Sequence, residues 1–172
     1  MSVIPQGGPP SRTGQPRIRP ASLSDVPDLV ALMGAFYAES GYPLPVSQAT
    51  RTFERLLSQP AHGAIWLMVA DDQPAGFVVL TVAFSMEYGG LRGFVDDLFV
   101  APSFRKRGLA SEALGVVRQA CEARGVRALL VETSLANEQA VRVYTRAGFT
   151  ETGRLLLSMP LATPVHEADR DA

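Results

Sequence analysis

Three basic side chains stand beside a glycine in one turn, at Arg105, Lys106, Arg107 and Gly108. They follow a strand-like run over residues 94–100 and open an amphipathic helix whose apolar residues recur at helical spacing. The start of a helix has unpaired N–H groups and a partial positive charge, so it favours anions. A di- or polyphosphate would balance the three cations, and Gly108 would let it approach the backbone closely. The alternative is a solvated basic turn that happens to contain a glycine.

The turn lacks the two common glycine-rich phosphate-binding patterns, a Walker loop and Gly-x-Gly-x-x-Gly after a strand. It fits Val-x-Pro-x-x-Arg running into Arg-x-x-Gly-x-Ala, from Val100 to Ala110. A second pattern, Asn-x-x-Ala-x-x-x-Tyr-x-x-x-Gly-Phe, runs from Asn137 to Phe149. Together and in this order, over roughly residues 17–161, they resemble the GNAT superfamily of acetyl-CoA dependent N-acetyltransferases.

The resemblance implies acetyl-CoA as the cosubstrate and assigns it to one stretch of chain. Backbone groups of Leu98, Phe99 and Val100 would bind the pantetheine arm. The diphosphate would lie on the turn and the helix start, at Arg105, Lys106, Arg107, Gly108, Leu109 and Ala110. Asn137 is a good helix N-cap on its own grounds. The resemblance adds a hydrogen bond from Asn137 near the cofactor arm, and both roles can hold together.

Acetyl transfer to an amine needs a base and an acid. An amine that resembles lysine has a pKa of about 10.4 and arrives protonated, so a base must take its proton, through water. An acid must protonate the departing thiolate. The resemblance implies Tyr144 as this acid, since it occupies the family's tyrosine position on the last helix. The alternative is a core aromatic in register with Ala140 and Ala147.

Three carboxylates could supply the base, ranked Asp96, then Glu132, then Asp97. Asp96 and Asp97 are adjacent in a strand, so we expect their side chains on opposite faces, with at most one facing the thioester. In polyamine-acetylating relatives an acidic pair at these positions activates the amine through water and holds a cationic substrate. Glu132 matches a position that supplies the base in some protein N-terminal acetyltransferases. All three could instead be structural carboxylates.

The acceptor pocket is expected to draw on the loop after the first helix. Its predicted residues are Tyr37, Glu39, Tyr42, Phe84 and Asp97. The acidic residues favour a cationic amine, such as a polyamine, an aminoglycoside-like molecule, a lysine or an N-terminal amine. An amino acid or a small xenobiotic stays open as the acceptor. Cys121 is predicted to be a buried thiol, and His62 and His166 have no metal-ligand spacing around them, so no metal site is proposed.

The order of elements predicts an α/β (α+β) fold in three layers. Strand-like runs cover residues 17–22, 65–70, 76–84, 94–100 and 127–133, with a final strand or two over 149–160. Helical patterns follow Ser22 or Ser24 and cover residues 47–58, 107–124 and 137–147. The resemblance implies a mixed, mostly antiparallel sheet flanked by helices. In that fold, strands 94–100 and 127–133 splay apart to admit the pantetheine arm.

The chain has 172 residues, 47% hydrophobic and 19% charged, which is ordinary for one globular domain. Proline and glycine in residues 1–16 predict a disordered leader before a domain over 17–161, and residues 162–172 a flexible tail. The net charge of −1 argues against nucleic acid as a partner, and no apolar run is long enough to span a membrane. A single cysteine and the lack of a secretory signal favour a cytoplasmic location.

The leading hypothesis is an N-acetyltransferase that uses direct attack in a ternary complex. A second is a non-catalytic acyl-CoA-binding or sensing module that keeps the cofactor motif and lacks a working base. A third, a nucleic-acid-binding domain built on residues 105–107, conflicts with the net charge. A homodimer is common among members of the family, and the resemblance is compatible with one here.

Overall fold

The computed structural model describes residues 17–134, 136–159 and 161. Within these residues, five strands and four α-helices form a mixed α/β fold. The strands are β1 (Ile18–Pro20), β2 (Gly63–Ala70), β3 (Gln73–Ser85), β4 (Gly90–Val100) and β5 (Ala128–Val131). The helices are α1 (Val26–Glu39), α2 (Val46–Leu57), α3 (Leu109–Ala123) and α4 (Glu138–Arg146).

The five strands form one sheet in the order β1-β2-β3-β4-β5. β1 to β4 pair antiparallel and β5 pairs parallel with β4, so the sheet is mostly antiparallel, as expected. The predicted hairpin between β2 and β3 is confirmed. It turns at Asp71 and Asp72, whose φ angles are 52° and 58°. Two consecutive left-handed residues give a turn whose twist matches the flanking strands.

Helices cover both faces of the sheet and give the three predicted layers. On one face, α1 and α2 bury Leu29 and Phe53 against strand residues that include Phe77. On the other face, α3 buries Val117 and the thiol-bearing Cys121, which is 4% exposed. α4 extends this second apolar cluster with half-buried side chains. The prediction of a buried thiol at Cys121 is therefore confirmed.

The prediction of a final strand after α4 is wrong for the residues that the structure describes there. Residues 149–159 form no regular element, and Leu155, Leu156 and Leu157 are 82%, 62% and 82% exposed. Three consecutive leucines put apolar side chains on both faces of a strand, whereas a half-covered strand needs alternation. No described element covers either face of this segment.

The leader predicted over residues 1–16 and the tail predicted over 162–172 lie outside the described residues. In the described ranges, no helix combines the length and the apolar character needed to cross a membrane.

Candidate active site

β4 changes faces in the middle of the strand. Val79 of β3 pairs with Asp97, but the next residue, Leu80, pairs with Val95, so Asp96 is an extra residue in β4. Such a β-bulge bends the strand and shifts its side-chain alternation by one residue. The packing agrees with this reading, because Val95 is buried on the α3 face whereas Phe99 is buried on the face of α1 and α2. In a regular strand, residues 95 and 99 would share a face.

The bulge brings both aspartates to one cavity, so the expectation that they lie on opposite faces is wrong. Asp96 and Asp97 line the cavity together with Val79 and Thr81 of β3. Desolvation raises the pKa of Asp97 to about 6, and the neighbouring charge of Asp96 adds to the increase. Desolvation also raises the pKa of Asp96, although that residue is the more exposed of the two. Two carboxylates whose charge is disfavoured form a site that attracts a cation.

The opposite wall of the cavity comes mainly from α2 and the segment that follows it. The cavity has a volume of about 380 Å³. Met33 of α1 contributes to this wall, and α2 contributes Ala49, Thr52, Phe53, Arg55 and Leu56. Gln59 and His62 line the cavity from the loop before β2. The cavity therefore lies between the helical layer of α1 and α2 and the middle of the sheet.

β4 and β5 separate next to these aspartates. Their parallel pairing runs from Arg92 with Ala128 to Val95 with Val131, and β4 then continues to Val100 without β5 beside it. The pairing of the two central strands thus ends where the expected splay would begin. On that side, residues 96–100 of β4 have no paired strand among the described residues, and we call this side of β4 the gap.

The backbone of β4 presents alternate residues to this gap. The N–H of Ala101 donates to the carbonyl of Ala75 at 2.9 Å, which makes Ala101 a residue whose backbone faces β3. Because hydrogen-bonded pairs alternate in an antiparallel ladder, Phe99 also faces β3, and Leu98 and Val100 face the gap. Of the three predicted pantetheine-binding residues, Leu98 and Val100 thus have backbone groups on the side of the gap, and Phe99 does not.

The turn between β4 and α3 has an unusual backbone. Lys106 and Gly108 both have positive φ angles, 61° and 84°. Gly108 is the N-cap of α3, and no side chain caps the N–H groups of the first helical turn. Two left-handed residues beside a helix start whose N–H groups have no side-chain cap leave backbone donors there that suit an anion. The local geometry thus fits a phosphate group at residues 105–110.

The two arginines of this turn already have carboxylate partners. Arg105 donates to both oxygens of Glu39, at 2.6 Å and 2.7 Å, and through Nε to the carbonyl of Val100 at 2.8 Å. Arg107 pairs with Asp71 at 2.7 Å. The sequence analysis assumed that a bound anion was needed to balance these charges. For Arg105 and Arg107, protein carboxylates already do so. Glu39, predicted to line the acceptor pocket, lies instead against the predicted diphosphate site.

Tyr144 and Asn137 lie on α4. Desolvation raises the pKa of Tyr144 to about 12, and the charge of Asp97 contributes, which places the two groups within interaction range. The ring of Tyr144 meets Phe149 edge-on, with centroids 5.6 Å apart. Asn137 caps α4, because its side chain accepts from the N–H of Ala140 at 3.1 Å. The predicted capping role of Asn137 is confirmed.

The remaining predicted residues lie at different distances from the cavity. Burial raises the pKa of Tyr37, and the charges of Asp97 and Asp96 raise it further, so its hydroxyl lies near the acidic pair. Glu132, directly after β5, is exposed and does not line the cavity. Tyr42 and Phe84 are 63% and 69% exposed and do not line it either.

Residues 29–149 match the family model described as "Acetyltransferase (GNAT) family". The chain belongs to this family. Its fold and its strand–turn–helix unit are therefore those of a GNAT acetyltransferase, and the motifs that carried the sequence resemblance lie within the matched range.

Relatives of this GNAT acetyltransferase include enzymes that act on aminoglycosides. Aminoglycoside N(6')-acetyltransferase type 1 of Salmonella typhimurium is 30% identical over 101 residues, which cover 57% of this chain and 70% of the relative. An integron cassette protein from the mobile metagenome of Cole Harbour Salt Marsh has a solved structure with 52% identity and a TM-score of 0.81. That match covers 88% of this chain and 94% of the cassette protein.

A further solved structure bears on the cosubstrate. Aminoglycoside N-acetyltransferase AAC(6')-Iy in complex with CoA has a TM-score of 0.73 and 25% identity, covering 84% of this GNAT chain and 94% of the other. A member of the family with this fold thus binds CoA.

Sequence reasoning missed the α2 wall of the cavity. The pattern over residues 47–58 predicts a helix there, and α2 confirms it. The apolar residues of such a helix usually pack fully against the sheet. The sequence does not show that Phe53 and Leu56 also border a cavity. The cavity between α2 and the sheet at Thr81 and Asp97 depends on how distant elements pack together, which local sequence patterns do not show.

Proposed function

We propose that this GNAT acetyltransferase transfers the acetyl group of acetyl-CoA to a primary amine of a small molecule, by direct attack in a ternary complex. One observation carries the proposal. The acidic pair Asp96 and Asp97 lines a cavity at the point where β4 leaves β5. An amine that enters from the α2 side and a thioester that enters through the gap would meet at this pair.

The strand–turn–helix unit supports acetyl-CoA as the cosubstrate, which supplies an activated acetyl thioester. We assign the pantetheine arm to the gap-facing backbone groups of Leu98 and Val100. We assign the diphosphate to Arg105, Lys106, Arg107, Gly108, Leu109 and Ala110, where the uncapped N–H groups of α3 lie. Asn137, at the start of α4, stays a prediction as a further contact of the arm.

We assign the base to Asp97. Its carboxyl is the more buried of the pair, and with a pKa of about 6 it is ionised at neutral pH. It can accept a proton from the incoming ammonium through water while retaining some basicity. Asp96 then serves to hold the cationic acceptor. This choice reverses the order drawn from the sequence, and it sets aside Glu132, which lies outside the cavity.

We assign the acid to Tyr144. A phenol whose pKa is raised to about 12 stays protonated throughout the physiological range. It can therefore donate a hydrogen bond to the departing sulfur. Because the thiol's pKa of about 8.5 lies well below that of the phenol, this bond stabilises the leaving thiolate without full proton transfer from Tyr144. The half-buried position of Tyr144 also limits competition from water.

Thiol release from acetyl-CoA in the presence of a panel of primary amines tests the proposal. We expect amine-dependent release with one acetylated product, identified by mass spectrometry. Binding of acetyl-CoA without thiol release for any amine would contradict the enzyme and favour the acyl-CoA-binding module.

A further inference from the structure

The cavity that holds the acidic pair has walls of two kinds. Its floor is mainly apolar: Ala49, Phe53 and Val79 are 6%, 4% and 4% exposed, Met33 and Leu56 beside them are half-buried, and Thr81 adds one half-buried hydroxyl. The polar residues contributed by α2 and the following loop are all exposed at the rim. An acceptor in this cavity therefore meets carboxylates at one end and mostly hydrocarbon along its body, with Thr81 as the one half-buried hydroxyl among the described lining residues.

A hydroxylated body fits this floor poorly. Hydroxyl groups lying against Phe53, Leu56 and Val79 would lose water and gain no hydrogen-bond partner from those side chains. An apolar body loses nothing there and gains from leaving water. The volume of about 380 Å³ is at the small end of ligand cavities, which span about 300–1,000 Å³.

A polycationic body also fits poorly. Among the described residues that line the cavity, Asp96 and Asp97 are the only carboxylates, and they lie side by side on β4. At the rim the chain presents the Arg55 guanidinium. A second or third ammonium group on the acceptor would find no carboxylate beyond this pair among the described lining residues, and Arg55 adds a like charge, so extra positive charge gains little.

We infer that the acceptor is a small primary amine on an apolar body, with its ammonium group at Asp96 and Asp97 and its body against Phe53, Leu56 and Val79. The inference rests on the proposed function, because it assigns the acceptor of that reaction. It separates this chain from its aminoglycoside-acetylating relatives, whose acceptors are hydroxylated and carry several amines.

A comparison of amines that differ in their bodies and in their number of amino groups tests the inference. 2-Phenylethylamine and glucosamine each carry one primary amine, on an apolar and on a hydroxylated body, and kanamycin carries several. We expect kcat/KM for 2-phenylethylamine to exceed that for each of the other two at least tenfold, since differences of a few apolar groups give about 10- to 200-fold discrimination. Equal or higher kcat/KM for glucosamine or kanamycin would overturn the inference and leave the proposed function standing.

Two variants on adjacent residues of α2 locate the effect. Leu56→Gln places an amide on the floor and should lower kcat/KM for 2-phenylethylamine about tenfold, with little change for glucosamine. Leu57→Gln is the matched control, because Leu57 is also half-buried against the same apolar cluster but does not line the cavity. Equal losses in both variants, or none in Leu56→Gln, would overturn the placement of the apolar body.

Binding separates this inference from the reaction itself. If acetyl-CoA binds but no amine releases thiol, the proposed function is wrong, and calorimetry on the CoA-saturated protein still decides the acceptor class. Tighter binding of 2-phenylethylamine than of glucosamine, weakened by Leu56→Gln, supports the inference. Equal or weaker binding of 2-phenylethylamine contradicts it.

Discussion

Asp97 and Tyr144 have surroundings that give them opposite proton roles. Burial, with the charge of Asp96, raises the pKa of Asp97 to about 6, and burial, with the charge of Asp97, raises that of Tyr144 to about 12. Between these two values the carboxyl is ionised and the phenol is protonated. Pairs of groups whose environments push their pKa values apart are typical of acid–base sites. At neutral pH the site therefore offers a proton acceptor at Asp97 and a hydrogen-bond donor at Tyr144.

Replacement of Asp97 by Asn should lower kcat by about 10²- to 10⁴-fold, the usual contribution of a general base. In the wild type, kcat/KM should fall as the pH drops through about 6, because the base must be ionised. The measurement is thiol release as a function of pH. Asp72→Asn is the control, since Asp72 lies in the β2–β3 turn and Asn tolerates its positive φ. If Asp97→Asn and Asp72→Asn have equal kcat values, Asp97 is not the general base.

Asp97→Asn should also be more stable than the wild type at neutral and alkaline pH. The folded pKa of Asp97 lies above its ordinary value of 3.8, so the folded state binds protons more tightly than the unfolded state. The free energy of unfolding then falls as the pH rises from about 4 to 6 and stays lower above. Asp97→Asn removes this penalty, and Tm at pH 8 should rise by a few degrees. A lower Tm would instead indicate a structural carboxylate with a favourable partner.

Replacement of Tyr144 by Phe should lower kcat by roughly 10² or more and leave the binding of acetyl-CoA nearly unchanged. The ring, its burial and its contact with Phe149 are kept, and only the hydroxyl is lost. Tyr88→Phe, in the turn between β3 and β4, is the matched control. Unchanged turnover in Tyr144→Phe would favour the reading of Tyr144 as a core aromatic.

At the scale of the elements, the turn between β4 and α3 combines backbone geometry with ion pairs. Gly108 supplies a left-handed N-cap, and an added Cβ there would meet no atom within 4 Å, so its need for glycine is conformational. Glu39 at the end of α1 and Asp71 in the β2–β3 turn hold the two arginines. The turn proposed to bind the cosubstrate is therefore tied to two other elements, α1 and the β2–β3 turn.

Replacement of Gly108 by Ala should destabilise the protein by about 1–2 kcal/mol, the cost of a left-handed conformation for a residue with a Cβ. It should also raise the Kd for acetyl-CoA, since the turn relaxes away from its anion-binding shape. Gly115→Ala is the matched control, because Gly115 lies within α3 with open space around it. That variant should gain about 0.5–1 kcal/mol and bind normally. Equal Kd values would contradict the diphosphate assignment.

Glu39 and Arg105 should have opposite effects on cosubstrate binding. Arg105→Glu should raise the Kd for acetyl-CoA about tenfold or more, because a charged hydrogen bond to phosphate is replaced by repulsion. Glu39→Gln should lower it, because the guanidinium no longer has a competing carboxylate. Calorimetry measures both. Arg118→Glu, at an exposed position on α3, controls for net charge. If Arg105→Glu and Arg118→Glu have equal Kd values for acetyl-CoA, the assignment of Arg105 to the diphosphate is wrong.

Elements with strong local signals were predictable from the sequence. Period-3.6 patterns gave the helices within a few residues, the Asp71–Asp72 turn gave the hairpin, and Asn137 gave the cap of α4. The bulge at Asp96 was not predictable, because register is set by the pairing of β3 with β4. The ion-pair partners of Arg105 and Arg107 were not predictable either, because Glu39 and Asp71 come from distant parts of the chain.

At the scale of the whole molecule, the proposed reaction places the two substrates on opposite faces of the sheet. The cavity opens on the face of α1 and α2, whereas α3 and α4 cover the other face, and the gap between β4 and β5 connects them beside Asp97. The homodimer expected from the family resemblance stays a prediction. The exposed leucines at 155–157 form an apolar stretch whose effect on assembly can be checked by light scattering.

The melting temperature with and without acetyl-CoA tests the central claim most directly. Binding at about 100 times Kd adds roughly 2.7 kcal/mol to the free energy of unfolding. For a chain of 172 residues this corresponds to a rise of about 5–11 °C. A rise of that size, reduced in Gly108→Ala, is the result that we expect. No rise at millimolar acetyl-CoA would mean that residues 105–110 form only a turn, and would contradict the proposed reaction.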